Sequence, residues 1–371
     1  MVSPRRSPPF RAEHIGSLLR PQALKDAWKQ YHAGKLAEGP YLEAVEAAIR
    51  EAVRLQEAAG LQVVTDGEFR RASYWSHFVD AVDGLAVREA RYRFRDTDGH
   101  AHAFTAPYAE APLRRTRPIS GAEFDFLLSI TARTVKVTMP SPPTMHFWRG
   151  REAVDPHAYP DQEAYFADLA KVFNAEILDL ARRGARYIQI DEVPLAMLCD
   201  AGVRRHLEAS GEDPARLARR YVALINECIR EAPVEVTLGL HLCRGNYKGR
   251  WLSQGGYGSV GEVLFNETAL GVFFLEYDSE RAGGFEPLRQ LPRDKVAVLG
   301  LVTTKSPRLE SADALARRID QAARHVPLEN LGLSPQCGFS STVAGNPLTI
   351  DDERRKLELV VQVARQVWGS A

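Results

Sequence analysis

Eight short apolar runs recur along the chain, and helical stretches fill most of the gaps between them. The runs are EHIGSLL (13–19), LQVVTDGE (61–68), TVKVTMPSP (134–142), YIQIDEV (187–193), VEVTLGLHLC (234–243), GVFFLEY (271–277), VAVLGLV (296–302) and NLGLSPQ (330–336). Continuous apolar runs of this length suit strands covered on both faces. The segments 41–60, 161–184, 203–231, 311–325 and 350–368 carry apolar residues at helical spacing. Strand–helix alternation builds a parallel sheet, because parallel neighbours need a crossover long enough for a helix. Eight such units predict an α/β fold, a (β/α)8 TIM barrel. A doubly wound sheet is the alternative, but no G-x-G-x-x-G follows a strand and no Walker loop is present.

The rhythm breaks at 70–133. ARYRFRDTDGHAHAFTAPY reads as two strands around a DTDG turn, so a β-hairpin insertion after the second strand is expected to overhang the barrel mouth. The Pro/Arg-rich segment 1–12 is expected to be loose. Without a repeat or a low-complexity linker, residues 1–371 read as one catalytic domain.

Lys plus Arg equals Asp plus Glu at 48 each, which favours neither nucleic acid nor an anionic membrane as partner. No stretch approaches the roughly 18 consecutive apolar residues of a membrane span. MVSPRRSPPF lacks the apolar core of a secretory signal, so a cytoplasmic location is expected. The four cysteines, Cys199, Cys228, Cys243 and Cys337, are too few for a disulfide framework in so long a chain. Cys228 lies in a helical pattern and reads as a core residue.

Cys243 and Cys337 are different, because each closes a predicted strand. In a barrel of parallel strands those ends meet at the face where active sites lie. His241 and Cys243 are two residues apart, so their side chains share one side of the strand. Glu276 closes the next strand. Two thiolates, an imidazole and a carboxylate form a zinc ligand set, and the carboxylate suggests a coordination place that can open. The alternative is a pair of core cysteines and a core histidine without a metal. With zinc, such a site would bind a substrate thiol as thiolate, the nucleophilic form. Asp66 and Glu68, then Asp191 and Glu192, add carboxylates at strand ends that could receive a substrate ammonium; His14 and Ser17 flank Gly16 in the first run. Helix capping or ion pairing would serve equally well as a role for any one of them.

The motifs IGS, DGE, IDE, HLCRGN, FFLEYD, SPRLES and SPQCGF resemble, in order, those of the cobalamin-independent methionine synthase family, specifically its C-terminal catalytic barrel. The resemblance runs from about residue 11 to 368. It implies a (β/α)8 barrel with one zinc ion, and methyl transfer from a 5-methyltetrahydrofolate-type donor to a thiol, homocysteine giving methionine. By position, His241, Cys243, Glu276 and Cys337 would hold Zn2+, and Ser17, Glu68 and Asp191 would hold the amino acid. Trp148 would line the donor side, where its face could stack on a pterin. Two features depart from the family. The N-terminal barrel of the long synthases has no counterpart here, so the chain looks like the short, single-barrel branch. The family His before Ser-Pro, linked to protonation of the leaving nitrogen, is replaced by Lys305, the candidate acid or charge here.

The resemblance also reaches relatives such as the epoxyalkane:coenzyme M transferases. Arg70, Arg71 and Arg244 could receive a sulfonate as readily as a carboxylate. A metal-free lyase of the uroporphyrinogen decarboxylase type is the rival enzyme class. The expected partners are a small-molecule thiol acceptor and a methyl donor; a homo-oligomer and a methyl-donating partner protein stay open. Arg88, Arg91, Arg93 and Arg95 read as a solvated hairpin face, with an acidic substrate tail as the sharper alternative.

Overall fold

A computed structural model describes residues 7–95 and 101–371, without the side chains of 92–95 and 101–103. Six strands form one parallel sheet: β5 (Val137–Pro140), β6 (Tyr187–Glu192), β7 (Thr237–Leu242), β8 (Val272–Glu276), β9 (Val296–Val302) and β10 (Leu331–Pro335). Each pairs with its neighbours in chain order. Two shorter strands, β1 (Val63–Val64) and β4 (Thr134–Val135), pair in parallel. Only Lys136 separates β4 from β5, and its N–H donates to Val64 O at 2.9 Å. Burial of these strands on both faces explains why they read as unbroken apolar runs.

The first predicted strand, 13–19, does not form as a ladder. Ala12 makes a single parallel bridge to Leu333, flanked by Glu13 N–H to Leu333 O and Leu333 N–H to Arg11 O, both 2.9 Å. Beyond it Gly16 takes φ +142°, which turns the backbone out of strand register. Its place is then held by other bonds: Thr65 Oγ1 donates to Gly16 O at 2.6 Å, and Leu18 N–H donates to Gly67 O at 3.1 Å. The expectation of a loose 1–12 also fails where the chain is described, because Phe10, Arg11 and Ala12 are buried. Arg11 donates to Glu329 O and Leu331 O at 2.9 and 2.6 Å.

The helices follow their sequence signals. Glu38–Ala59 buries Tyr41, Val45, Ile49, Ala52 and Val53, one face at helical spacing, and ends on left-handed Gly60. Ile350–Trp368 starts with a Thr349/Asp352 capping box and ends on left-handed Gly369. The stretch 203–231, read as one helix, is two: Ala201–Ala209 and Pro214–Ile229. Gly211 at φ +80° stops the first, and the Asp213 cap followed by Pro214 starts the second.

Within 70–133, β2 (Asp83–Arg95) and β3 (Ala101–Arg114) pair antiparallel. The expected DTDG turn lies outside the described residues, as do the side chains of Arg93 and Arg95. Arg88 meets Glu110 at 3.1 Å and Arg91 meets Glu152 at 3.7 Å, all four about half exposed or more. Among the described residues, no helix is long and apolar enough to cross a membrane.

The last helix is tied to the start of the chain by Glu353, which is buried and accepts the Leu19 N–H at 2.8 Å. Burial pushes its pKa from 4.5 up to about 8, against the pull of that hydrogen bond. The folded protein therefore keeps a proton that the unfolded chain has released. Its stabilising contribution is complete below 4.5 and is lost as pH rises through about 8. Denaturant titrations at about pH 5 and about pH 8 should show wild type losing up to a few kcal/mol more than Glu353→Gln. Parallel losses in the two proteins would refute this assignment.

Candidate active site

Parallel pairing brings the strand ends level. Asp191 on β6 lies beside His241 on β7. Cys243 sits one residue beyond β7, its N–H still donating to Glu192 O at 2.9 Å. Cys337 lies two residues beyond β10. The result is a buried trio, His241, Cys243 and Cys337, whose ligand atoms all lie within 4.8 Å of one another. The two sulfurs are 3.2 Å apart. Cys337 is held well below the usual thiol range, first by the hydrogen bond from Cys243 and then, against burial, by His241. The same shared proton, reinforced by burial, pushes Cys243 up. Burial opposes charge on His241, but the Cys337 thiolate, Asp191 and Glu276 outweigh it and raise its pKa.

Glu276, the fourth expected ligand, is outside this trio. It ends β8, and its side chain is buried completely. Its Oε1 pairs with Arg281 Nη2 and lies 4.0 Å from Lys305 Nζ, and its Oε2 accepts the Arg244 N–H at 3.1 Å. Burial disfavours its charge, but Lys305, Arg281 and Arg244 together hold its pKa below the usual range. Lys305 is placed by the turn after β9, and its Nζ is buried without a hydrogen-bond partner among the described residues.

The trio opens into a cavity of 430 Å³ that Ser17, Glu68, Trp148 and Asp191 also line. Thus seven of the nine predicted site residues line one space, and Glu276 and Lys305 are not among its lining residues. Phe104 from β3 and Val87 from β2 also line it. Trp148 is buried and meets Phe104 edge-on at 5.2 Å. Asp191 is pushed up to about 7 by burial, with His241 pulling it down and Glu68 adding repulsion. Gln189 donates to it at 2.7 Å.

Glu68 does not share a strand face with Asp66, as the alternation had implied. β1 ends at Val64, and Gly67 and Glu68 take φ +69° and +61° in a turn where Asp66 Oδ1 accepts the Glu68 N–H at 2.8 Å. A glutamate in the left-handed region is strained, and such strain collects at functional sites. Its Oε1 accepts from Thr138 Oγ1 at 2.9 Å. Burial raises its pKa, opposed by Arg71.

The arginines expected to face an anionic substrate point elsewhere. Arg71 is buried on Glu123 at 2.6 Å, Arg70 stacks on Phe126 at 5.0 Å, and Arg244 bonds Tyr257 at 2.8 Å and Gly255 O. None of the three lines the cavity. His14 is buried, does not line it, and is driven toward the neutral form by burial and Lys136. Tyr74, Trp75, Asn246 and Tyr247 do line it and were not anticipated. They lie in loops, where no periodicity marks a residue's direction.

The trio suits zinc. Among the described residues neither His241 ring nitrogen, both buried, has a hydrogen-bond partner, an arrangement a metal would relieve at one of them. Tetrahedral zinc with Zn–S bonds of about 2.3 Å sets two sulfurs about 3.8 Å apart, a small outward shift from the distance between these thiols.

A family model for the catalytic domain of cobalamin-independent synthase matches residues 10–366. The Bacillus subtilis (strain 168) protein YxjG, itself uncharacterized, is 37% identical over 372 residues, covering 98% of this chain and 96% of its own. A methionine synthase of Pyrococcus abyssi is 30% identical over 326 residues, covering 88% and 85%. A solved structure from Listeria monocytogenes, assigned as a vitamin-B12 independent methionine synthase, is 29% identical with TM-score 0.78. It covers 99% of this chain and 100% of its own.

Gly16 is the residue that lets the first segment approach the carboxylates. A Cβ there would lie 2.6 Å from Thr138 Cγ2 and 3.5 Å from Glu68 Oε1. Gly16→Ala is expected to cost about 1–3 kcal/mol in denaturant unfolding, through overpacking and backbone strain. A change under about 0.5 kcal/mol would show that the segment yields freely.

Proposed function

This chain belongs to the cobalamin-independent synthase family, and on that premise we propose that it is a zinc-dependent methyltransferase. It moves a methyl group from a 5-methyltetrahydrofolate-type donor to an amino-acid thiol, homocysteine giving methionine. The observation that carries this reading is the convergence of His241, Cys243 and Cys337 at a cavity that two buried carboxylates also line.

His241, Cys243 and Cys337 would hold the zinc, with Glu276 as a fourth, exchangeable ligand. Zinc bound there supplies Lewis acidity that favours an acceptor thiol in its thiolate form. Glu68 and Asp191 receive the acceptor's ammonium, whose charge offsets their unfavourable burial. Ser17 offers a hydroxyl to the same substrate. Trp148 gives the donor an aromatic wall, and its neighbour Phe104 keeps that side apolar. The sulfur attacks the methyl carbon in line: a C–S bond forms as the methyl–nitrogen bond breaks, and the leaving nitrogen takes the electron pair. Lys305 supplies the proton for that nitrogen, directly or through a water. Holding both substrates in one apolar cavity provides the proximity.

The acceptor is read as an amino acid rather than a sulfonate, because Arg70, Arg71 and Arg244 are engaged away from the cavity. The buried thiol pair has no role in the metal-free lyase reading. We propose further that the strands close into a (β/α)8 barrel, with residues 10–19 as its first stave and β2–β3 inserted after the second strand. Phe10, Ile15, Val63, Tyr187, Val272, Phe274 and Val298 form a separate apolar cluster, as the inside of such a barrel requires. All four cysteines are free, in keeping with a reducing cytoplasm.

Protein purified without added metal should carry close to one zinc per chain by elemental analysis, and Cys337→Ala should lose metal and turnover together. Turnover by metal-free protein would refute the zinc reading. Lys305→Ala should keep its zinc and lose about 100-fold or more in turnover, the usual worth of a general acid. An unchanged turnover number would remove Lys305 from the mechanism.

A further inference from the structure

We infer that Asn246, the last residue of HLCRGN, is a substrate-binding residue whose side-chain oxygen takes the third N–H of the acceptor's ammonium group, beside Glu68 and Asp191. The inference rests on the amino-acid acceptor proposed above and names what selects it.

Asn246 lines the cavity and is only 8% exposed. Its Nδ2 donates to Gly338 O at 2.8 Å, which fixes the orientation of the amide. The other end, Oδ1, is buried with no hydrogen-bond partner among the described residues. The loop around it is held by its own bonds. Leu252 N–H donates to Arg244 O at 2.8 Å, and Tyr247 and Arg250 exchange backbone hydrogen bonds at 3.1 and 3.0 Å. An amide oxygen fixed and buried in this way costs free energy until something donates to it.

Three consecutive residues gather this oxygen and the two carboxylates. Gln189 Nε2 donates to Ile15 O at 2.6 Å and to Asp191 Oδ1 at 2.7 Å. A Cβ on Gly16 would lie 3.5 Å from Glu68 Oε1. A Cβ on Gly338 would collide with Ser17 Oγ, so the residue whose carbonyl Asn246 bonds is pressed against Ser17. Neighbouring Cα atoms are about 3.8 Å apart, so Asp191, Glu68 and Asn246 are ranged around one short segment, Ile15 to Ser17. Ile15, Ser17 and all three acceptors line the same cavity.

The count matches one chemical group. An alkylammonium has three N–H donors and no acceptor. Two carboxylates and one amide oxygen supply one acceptor for each. No Lys or Arg is among the described residues that line the cavity, so a sulfonate in place of the amino-acid end finds no cation there. A thiol without the ammonium leaves Asn246 Oδ1 unpaired, and a site built to receive an N–H rejects the analogue that lacks it.

The test uses the full chain as purified and two product-shaped probes that carry no free thiol: L-methionine and its deamino analogue, 4-(methylsulfanyl)butanoate. Binding is read by calorimetry. Wild type should prefer methionine. Asn246→Ala should weaken methionine about tenfold or more and leave the analogue nearly unchanged. A residue that only tied the two loops together would weaken both probes alike. Asn246→Asp keeps an oxygen in the place of Oδ1 and gives up the Nδ2 bond, so it should keep the preference for methionine.

Equal weakening of the two probes in Asn246→Ala, or no weakening of either, would overturn the inference. If that variant does not fold, loss of the preference in Asn246→Asp overturns it. Failure of the underlying reading looks different: wild type itself would bind the two probes equally, which removes the amino-acid acceptor and this inference with it.

Discussion

Everything at this site depends on parallel pairing. Parallel strands all point their C-terminal ends the same way, so a residue's height above the sheet is set by its distance from the strand end. Asp191 and His241 are register partners, and Glu276 stands opposite Gly300 on β9. Chemistry spread over nearly a hundred residues, from His241 to Cys337, is thereby compressed into one buried trio. Gly300 has its own reason to lack a side chain: a Cβ there would lie 2.7 Å from Gln336 Cα, in the turn that delivers Cys337.

The start of the chain carries a second constraint. Lys136 and Glu13 form a completely buried ion pair at 3.1 Å. Burial works to neutralise the lysine, and Glu13 pulls it back toward the charged form. Tyr187 Oη at 3.0 Å and the Phe10 N–H at 2.9 Å both donate to Glu13, while Lys136 lies 4.6 Å from the Phe274 ring centroid. A buried pair of this kind contributes little net stability, and removing one partner alone strands the other charge. Its effect here is positional. It joins the start of the chain to the strand region between β4 and β5, where an unbonded first segment would otherwise be free to shift and carry Ser17 with it.

The apolar runs made β6 to β10 legible because strands covered on both faces must be apolar throughout. His241 and Cys243 were legible through alternation alone, which depends only on local geometry. The first run misled for a physical reason. Its composition suits a strand, but Gly16 turns the backbone, and hydrogen bonds from Thr65 and Leu18 replace the ladder. Glu68 misled similarly, since β1 stops at Val64 and the carboxylate reaches the cavity from a strained turn. The split at Gly211 was present in the sequence as Gly, Asp and Pro, and outweighed the helical periodicity on either side.

By itself, the sequence determined the parallel alternation, the positions where strands end, and the residue types able to bind a metal. These follow from local rules: side-chain periodicity, glycine and proline punctuation, and ligand chemistry. Only the tertiary structure decided which of those residues share a space. It set Glu276 on Arg281 and Lys305 instead of in the ligand trio, turned Arg70, Arg71 and Arg244 away from the cavity, and brought Phe104 against Trp148. Each of these depends on partners far apart in sequence or on the direction of a loop side chain. No spacing along the chain encodes those distances.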